Sequence, residues 1–74
     1  MFYIRFRDED GTHYLESAPG VMRAVGVGNV FWSSCKRDAM RFHTKAFADC
    51  VAARVEEAMR RYPYIRSRVC ARED

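Results

Sequence analysis

Seventy-four residues allow one domain, 1–74, built around one small core. A core of that size typically yields about 3–5 kcal/mol, so a deep catalytic pocket is costly to build, while the 49% apolar content excludes a disordered chain. The formal charge is +3, and arginine outnumbers lysine eleven to two. That ratio suits bidentate contact with carboxylates or phosphates, and it is equally what a GC-rich genome encodes.

Phe2 to Arg7 alternates, with Phe2, Ile4 and Phe6 on one face and Tyr3, Arg5 and Arg7 on the other, the pattern of a half-buried strand. Asp10-Gly11 predicts a two-residue hairpin turn, because glycine accepts positive φ. Thr12 to Ser17 returns as the second strand. In that register Phe6 faces Leu15 and Ile4 faces Ser17, while Arg5 lies across from Glu16 and Arg7 across from Tyr14. Ala18-Pro19-Gly20 ends the strand. Val21 to Trp32 reads as a third, irregular strand weakened by Gly26 and Gly28, with at least one of Phe31 and Trp32 packed inward.

Ser33-Ser34 is placed to cap a short helix over Cys35 to Arg41, turning Ala39 and Met40 or Phe42 inward. Thr44 then caps the main helix, Lys45 to about Tyr62. Its buried stripe is expected at Phe47, Val51, Val55, Ala58 and Tyr62, with Cys50 beside it as a small hydrophobe. Glu56-Arg60 and Glu57-Arg61 form i,i+4 pairs on the solvent face. Pro63 stops the helix. Tyr64 to Ala71 alternates again, either as a fourth strand or as an extended tail. The expected class is α+β: an antiparallel sheet of three or four strands, with one long helix and a short one packed on one face. Its core is drawn from Phe2, Ile4, Phe6, Leu15, Phe42, Phe47, Val51 and Val55.

Three cysteines without a C-x-x-C spacing argue against a disulfide framework or zinc knuckle. No apolar run approaches about 20 residues, so no membrane span is expected, and the N-terminus does not read as a signal peptide. A reducing cytoplasm is the expected compartment. His13 and His43 have no spaced partners that suggest a metal or a triad, and both read as surface residues. Cys35, beside Lys36 and Arg37, lacks a base placed by sequence. Gly26-Val27-Gly28-Asn29 is too short for a dinucleotide fingerprint. No catalytic residue, cofactor site or metal site is assigned. Cys70 is expected to be the most exposed thiol, able to join two copies by an intermolecular disulfide once oxidised.

The first and last strands share one motif: Tyr3, Arg5 and Arg7, then Tyr64, Arg66 and Arg68. With a helix over one side of the sheet, these six share the open side. Such a face suits docking of an acidic protein patch. The alternatives are stacking and phosphate contact with nucleic acid, or a solvated face whose arginines pair with Glu16 and the Asp8-to-Asp10 turn. A homodimer through an exposed strand edge is compatible with each.

Tyr3-x-Arg5-x-Arg7-x-Glu9-x-Gly11, Tyr14-Leu15, Trp32-Ser33 and Ala39-x-Arg41-Phe42-x-Thr44-Lys45-x-x-Ala48 together resemble small phage and prophage accessory proteins. The resemblance covers Phe2 to Val55. Phe47 departs from it, since that position is often acidic in such proteins and completes a capping box. The resemblance implies a non-catalytic phage-encoded protein, of which anti-CRISPR inhibitors that bind a Cas subunit or its DNA site are a prominent group. On that basis the expected partner is a host defence protein such as a Cas subunit.

Overall fold

Alternation along the first seventeen residues produces a hairpin, and the rest of the fold is built on its two sides. The computed structural model describes residues 1–18, 30–60 and 68–74. The strands are β1 (Phe2–Asp8), β2 (Gly11–Ser17), β3 (Phe31–Ser33) and β4 (Cys70–Glu73). They form one antiparallel sheet in the order β3-β2-β1-β4. Among the described residues one α-helix, α1 (Lys45–Met59), covers one side, and a 3-10 turn at Lys36–Asp38 precedes it. The class is α+β, as the patterning predicts.

The hairpin turn lies one residue earlier than Asp10-Gly11. Glu9 and Asp10 form the loop, and Asp8 pairs with Gly11. The Asp8 carboxylate accepts the Asp10 N–H at 2.9 Å, which closes the turn from its leading side. Gly11 then takes φ +122°, a conformation L side chains rarely adopt. The register moves by two residues, so Arg5 faces Tyr14, Phe6 faces His13 and Arg7 faces Thr12. The pairings Phe6–Leu15, Ile4–Ser17, Arg5–Glu16 and Arg7–Tyr14 are therefore not made. A shift of two preserves each residue's face, and Ile4 and Leu15 remain fully buried.

β3 is a short edge strand. Its Trp32 packs edge-on to Phe6 with ring centroids 4.6 Å apart, while Phe31 is exposed. The rest of the expected third strand, through residue 29, lies outside the described residues. The helix expected over Cys35 to Arg41 is only the 3-10 turn, with no side-chain cap. Extended pairing takes over after it: the Met40 N–H donates to the Leu15 carbonyl, and Phe2 and Phe42 exchange both backbone hydrogen bonds at 2.8 Å. Ala39 and Phe42 are buried, and Met40 packs against the core.

Thr44 caps α1, its hydroxyl accepting the Phe47 N–H at 3.2 Å. The buried stripe of the helix is Ala48, Val51, Ala52, Val55, Ala58 and Met59. Val51, Val55 and Ala58 are buried as expected, but Phe47 is 51% exposed, touching Phe42 edge-on at 5.5 Å, and Cys50 is exposed, so the stripe turns toward Ala48 and Ala52. The reason is steric. Ala48, Ala52 and Ala58 let the helix backbone approach the sheet closely, with Val51, Val55 and Met59 filling the gaps between them. Tyr62 and Arg61 lie outside the described residues. Glu56 and Arg60 form the expected pair at 3.3 Å. Glu56 also accepts the Val69 N–H at 3.1 Å, tying α1 to the entry of β4. Val69 is buried and Ala71 packs against the core; of the described residues of the last segment, Cys70–Glu73 form the strand and Arg68 and Val69 precede it. Phe2, placed in the core by its alternation, is half-buried against it.

Candidate binding face

The side of the sheet away from α1 is assembled from three strands. Tyr3, Arg5 and Arg7 come from β1. The register sets Tyr14 across from Arg5 and Thr12 across from Arg7 on β2. On the other flank it sets Cys70 across from Arg5 and Arg72 across from Tyr3. Of the six residues expected to form the surface, Tyr3, Arg5 and Arg7 thus share one face. Arg68 is exposed two positions before Cys70. Tyr64 and Arg66 lie outside the described residues. Besides Lys36 and Arg41, described below, the face holds two strand residues outside the expected six. Arg72 continues the alternation of Arg66, Arg68 and Cys70 by one step, beyond the expected strand end at Ala71. Tyr14 was expected on this face and left out of the surface.

Among the described residues, Arg5, Arg7, Arg68 and Arg72 have no carboxylate partner. Of the acids expected to neutralise them, Asp8 is engaged elsewhere, and Glu9, Asp10 and Glu16 are exposed and form no ion pair with these arginines. Asp8 binds His13 Nε2 at 2.9 Å and caps the turn; that hydrogen bond from His13 holds its carboxyl below the usual aspartate range, against a smaller opposing effect of burial. The half-buried His13 ring also stacks on Phe6 at 4.6 Å, so it is a hairpin packing residue more than a plain surface one. His43 is exposed, as expected.

Tyr3 behaves differently from its neighbours. It is only 9% exposed. Lys36 Nζ lies 4.8 Å and Arg41 Cζ 5.7 Å from the centre of its ring, and the Tyr14 ring lies 5.8 Å away. The 3-10 turn and the segment after it carry these two cations onto the open face. Arg41 donates from Nη1 to the carbonyls of Ala39 at 2.7 Å and Lys36 at 3.2 Å. Its Nε donates to Asp74 at 2.6 Å, and Lys36 Nζ is 3.4 Å from the other oxygen of that carboxylate. The Arg41 hydrogen bond, with Lys36 adding to it, keeps the Asp74 carboxyl below the usual range despite partial burial.

The thiols differ from expectation too. Cys70 is half-buried beside Arg5, whereas Cys35 and Cys50 are exposed, so Cys70 is not the most accessible of the three. It stands on the edge strand β4, paired with Arg5 of β1. Among the described residues, no three His, Cys, Asp or Glu side chains converge as a metal site, and no helix is long and apolar enough to cross a membrane.

Comparison with family models, with curated proteins and with solved structures finds no match to this chain.

Proposed function

We propose that the protein is a non-catalytic binding protein whose open sheet face docks an acidic surface of another protein. The observation that carries this reading is the set of arginines, Arg5, Arg7, Arg68 and Arg72, that have no carboxylate partner among the described residues. Along a strand, alternate side chains stand about 7 Å apart and neighbouring strands about 4.8 Å apart. That spacing matches acids three or four positions apart on a helix, about 5–6 Å between Cβ atoms. Arginine forks bind such carboxylates in bidentate fashion, and tyrosine beside them supplies rigid contact area.

A nucleic-acid partner would use the same charge, but a stacking platform needs free aromatic faces. The Tyr3 ring is already covered by Lys36 and Arg41, which leaves Tyr14 half-exposed. This favours the protein partner. The resemblance to phage accessory proteins supplies the biological form of the reading: an inhibitor of a host defence complex, anti-CRISPR-like, meeting a Cas subunit in the host cytoplasm.

The test is an affinity capture from a nuclease-treated lysate of a CRISPR-bearing bacterium, comparing the parent with the Arg5→Glu/Arg7→Glu variant. The parent is expected to retain a discrete defence protein that the variant loses. Retention of the same protein by both, or recovery of nucleic acid alone before nuclease treatment, would overturn the reading.

A further inference from the structure

We infer that Lys36, Arg41 and the Tyr3 ring form a carboxylate-binding clamp, which Asp74 occupies from within the chain and which a partner's carboxylate takes over on docking. The inference rests on the reading of the open face as a surface for acidic partners, and it adds a specific site to that face. Asp74 is held as a ligand would be: Arg41 Nε reaches one carboxylate oxygen at 2.6 Å and Lys36 Nζ the other at 3.4 Å.

The clamp does not depend on Asp74 for its shape. Arg41 is oriented by two backbone carbonyls, those of Lys36 and Ala39, and both cations lie over Tyr3. The Lys36 carbonyl belongs to the 3-10 turn, whose backbone is closed by the Ala39 N–H donating to that same oxygen at 3.0 Å. Removing the acid therefore leaves two positive charges preorganised around an empty position. Preorganised cations bind an incoming anion without the ordering cost that free side chains incur.

Displacement is easy for the opposite reason. The Asp74 side chain is 32% exposed, and those of Arg41 and Lys36 are 28% and 47% exposed. Solvent and salt screen an ion pair in such a setting, so it holds weakly. Arg72, on β4 directly across from Tyr3, adds an arginine with no carboxylate partner among the described residues. A partner offering several carboxylates gains Arg72, Arg5 and the clamp together, whereas Asp74 offers one.

Hexaglutamate is the probe, titrated into 15N-labelled protein while the Arg41 Nε–Hε signal and the backbone amides are followed. Asp74→Asn is expected to bind about two- to fivefold tighter than the parent, the fold-change that corresponds to one surface ion pair. Arg41→Gln in that background is expected to remove the gain. Asp49→Asn makes the same charge change on α1, where Asp49 pairs with Lys45 at 2.8 Å, and is expected to leave affinity unchanged. An equal gain for Asp49→Asn, no gain for Asp74→Asn, or loss of a resolved Arg41 signal in Asp74→Asn would overturn the clamp. If binding still falls in Arg5→Glu/Arg7→Glu while Asp74→Asn gains nothing, the acidic-partner reading survives and the clamp does not. If no variant binds hexaglutamate, both fall.

Discussion

The two sides of this sheet obey different rules. Under α1 every large side chain has a neighbour: Ile4, Leu15 and Val55 are fully buried, and Ala48 lets the helix come close enough to cover them. On the open side the strands carry arginines that form no ion pair with a described acid. Tyr3 is the exception there, covered by the Lys36 and Arg41 cations with the Tyr14 ring beside it. The first side accounts for why the chain folds. The second carries the surface proposed to bind an acidic partner.

The contrast breaks most visibly at the core. Leu15→Ala should cost about 2–5 kcal/mol, comparable with the whole stability expected of so small a domain, whereas Arg5→Ala should stay within about 0.5 kcal/mol. Urea unfolding of the two variants side by side measures the difference. A smaller loss is expected where the helix is tied to β4. Glu56→Ala strands the partly buried Val69 N–H and should cost on the order of 1–3 kcal/mol. Glu56→Gln keeps an acceptor and should recover most of that. Thr44→Ala should cost about 1 kcal/mol through loss of the N-cap, again read by the unfolding midpoint.

The smallest effect concerns pH. Asp8 and Asp74 both have folded-state pKa values below the ordinary one. The stability they contribute is complete above the unfolded value and is lost as pH falls through the folded one, from roughly pH 4 downward. The Asp8→Asn/Asp74→Asn double variant should show a shallower loss of stability between pH 5 and pH 2 than the parent, by about the share of these two groups.

Period-two and helical patterning made the sheet, the helix and the division of faces legible, because burial acts on alternation and alternation is local. The hairpin register was not legible. It depends on the Asp8 carboxylate capping the turn, a choice between adjacent turn positions that leaves the alternation of faces unchanged. Helical spacing made Val51, Val55 and Ala58 legible on the buried stripe, but not Ala48 and Ala52 in place of Phe47, because close approach to a sheet favours small residues at the contact. On the candidate face, the motif of Tyr3, Arg5 and Arg7 was readable from spacing alone. The Lys36–Arg41–Asp74 cluster was not, since it joins residues up to 38 positions apart through a turn expected to be a helix. Arg72 was within reach of the same alternation that singled out Arg66 and Arg68.

The most direct test of the account is a map of backbone-amide shifts as hexaglutamate is added to the folded parent. Shifts are expected to concentrate at Tyr3, Arg5, Arg7, Tyr14, Cys70 and Arg72, with α1 from Lys45 to Met59 unmoved. Shifts concentrated on α1, or none at all, would contradict it.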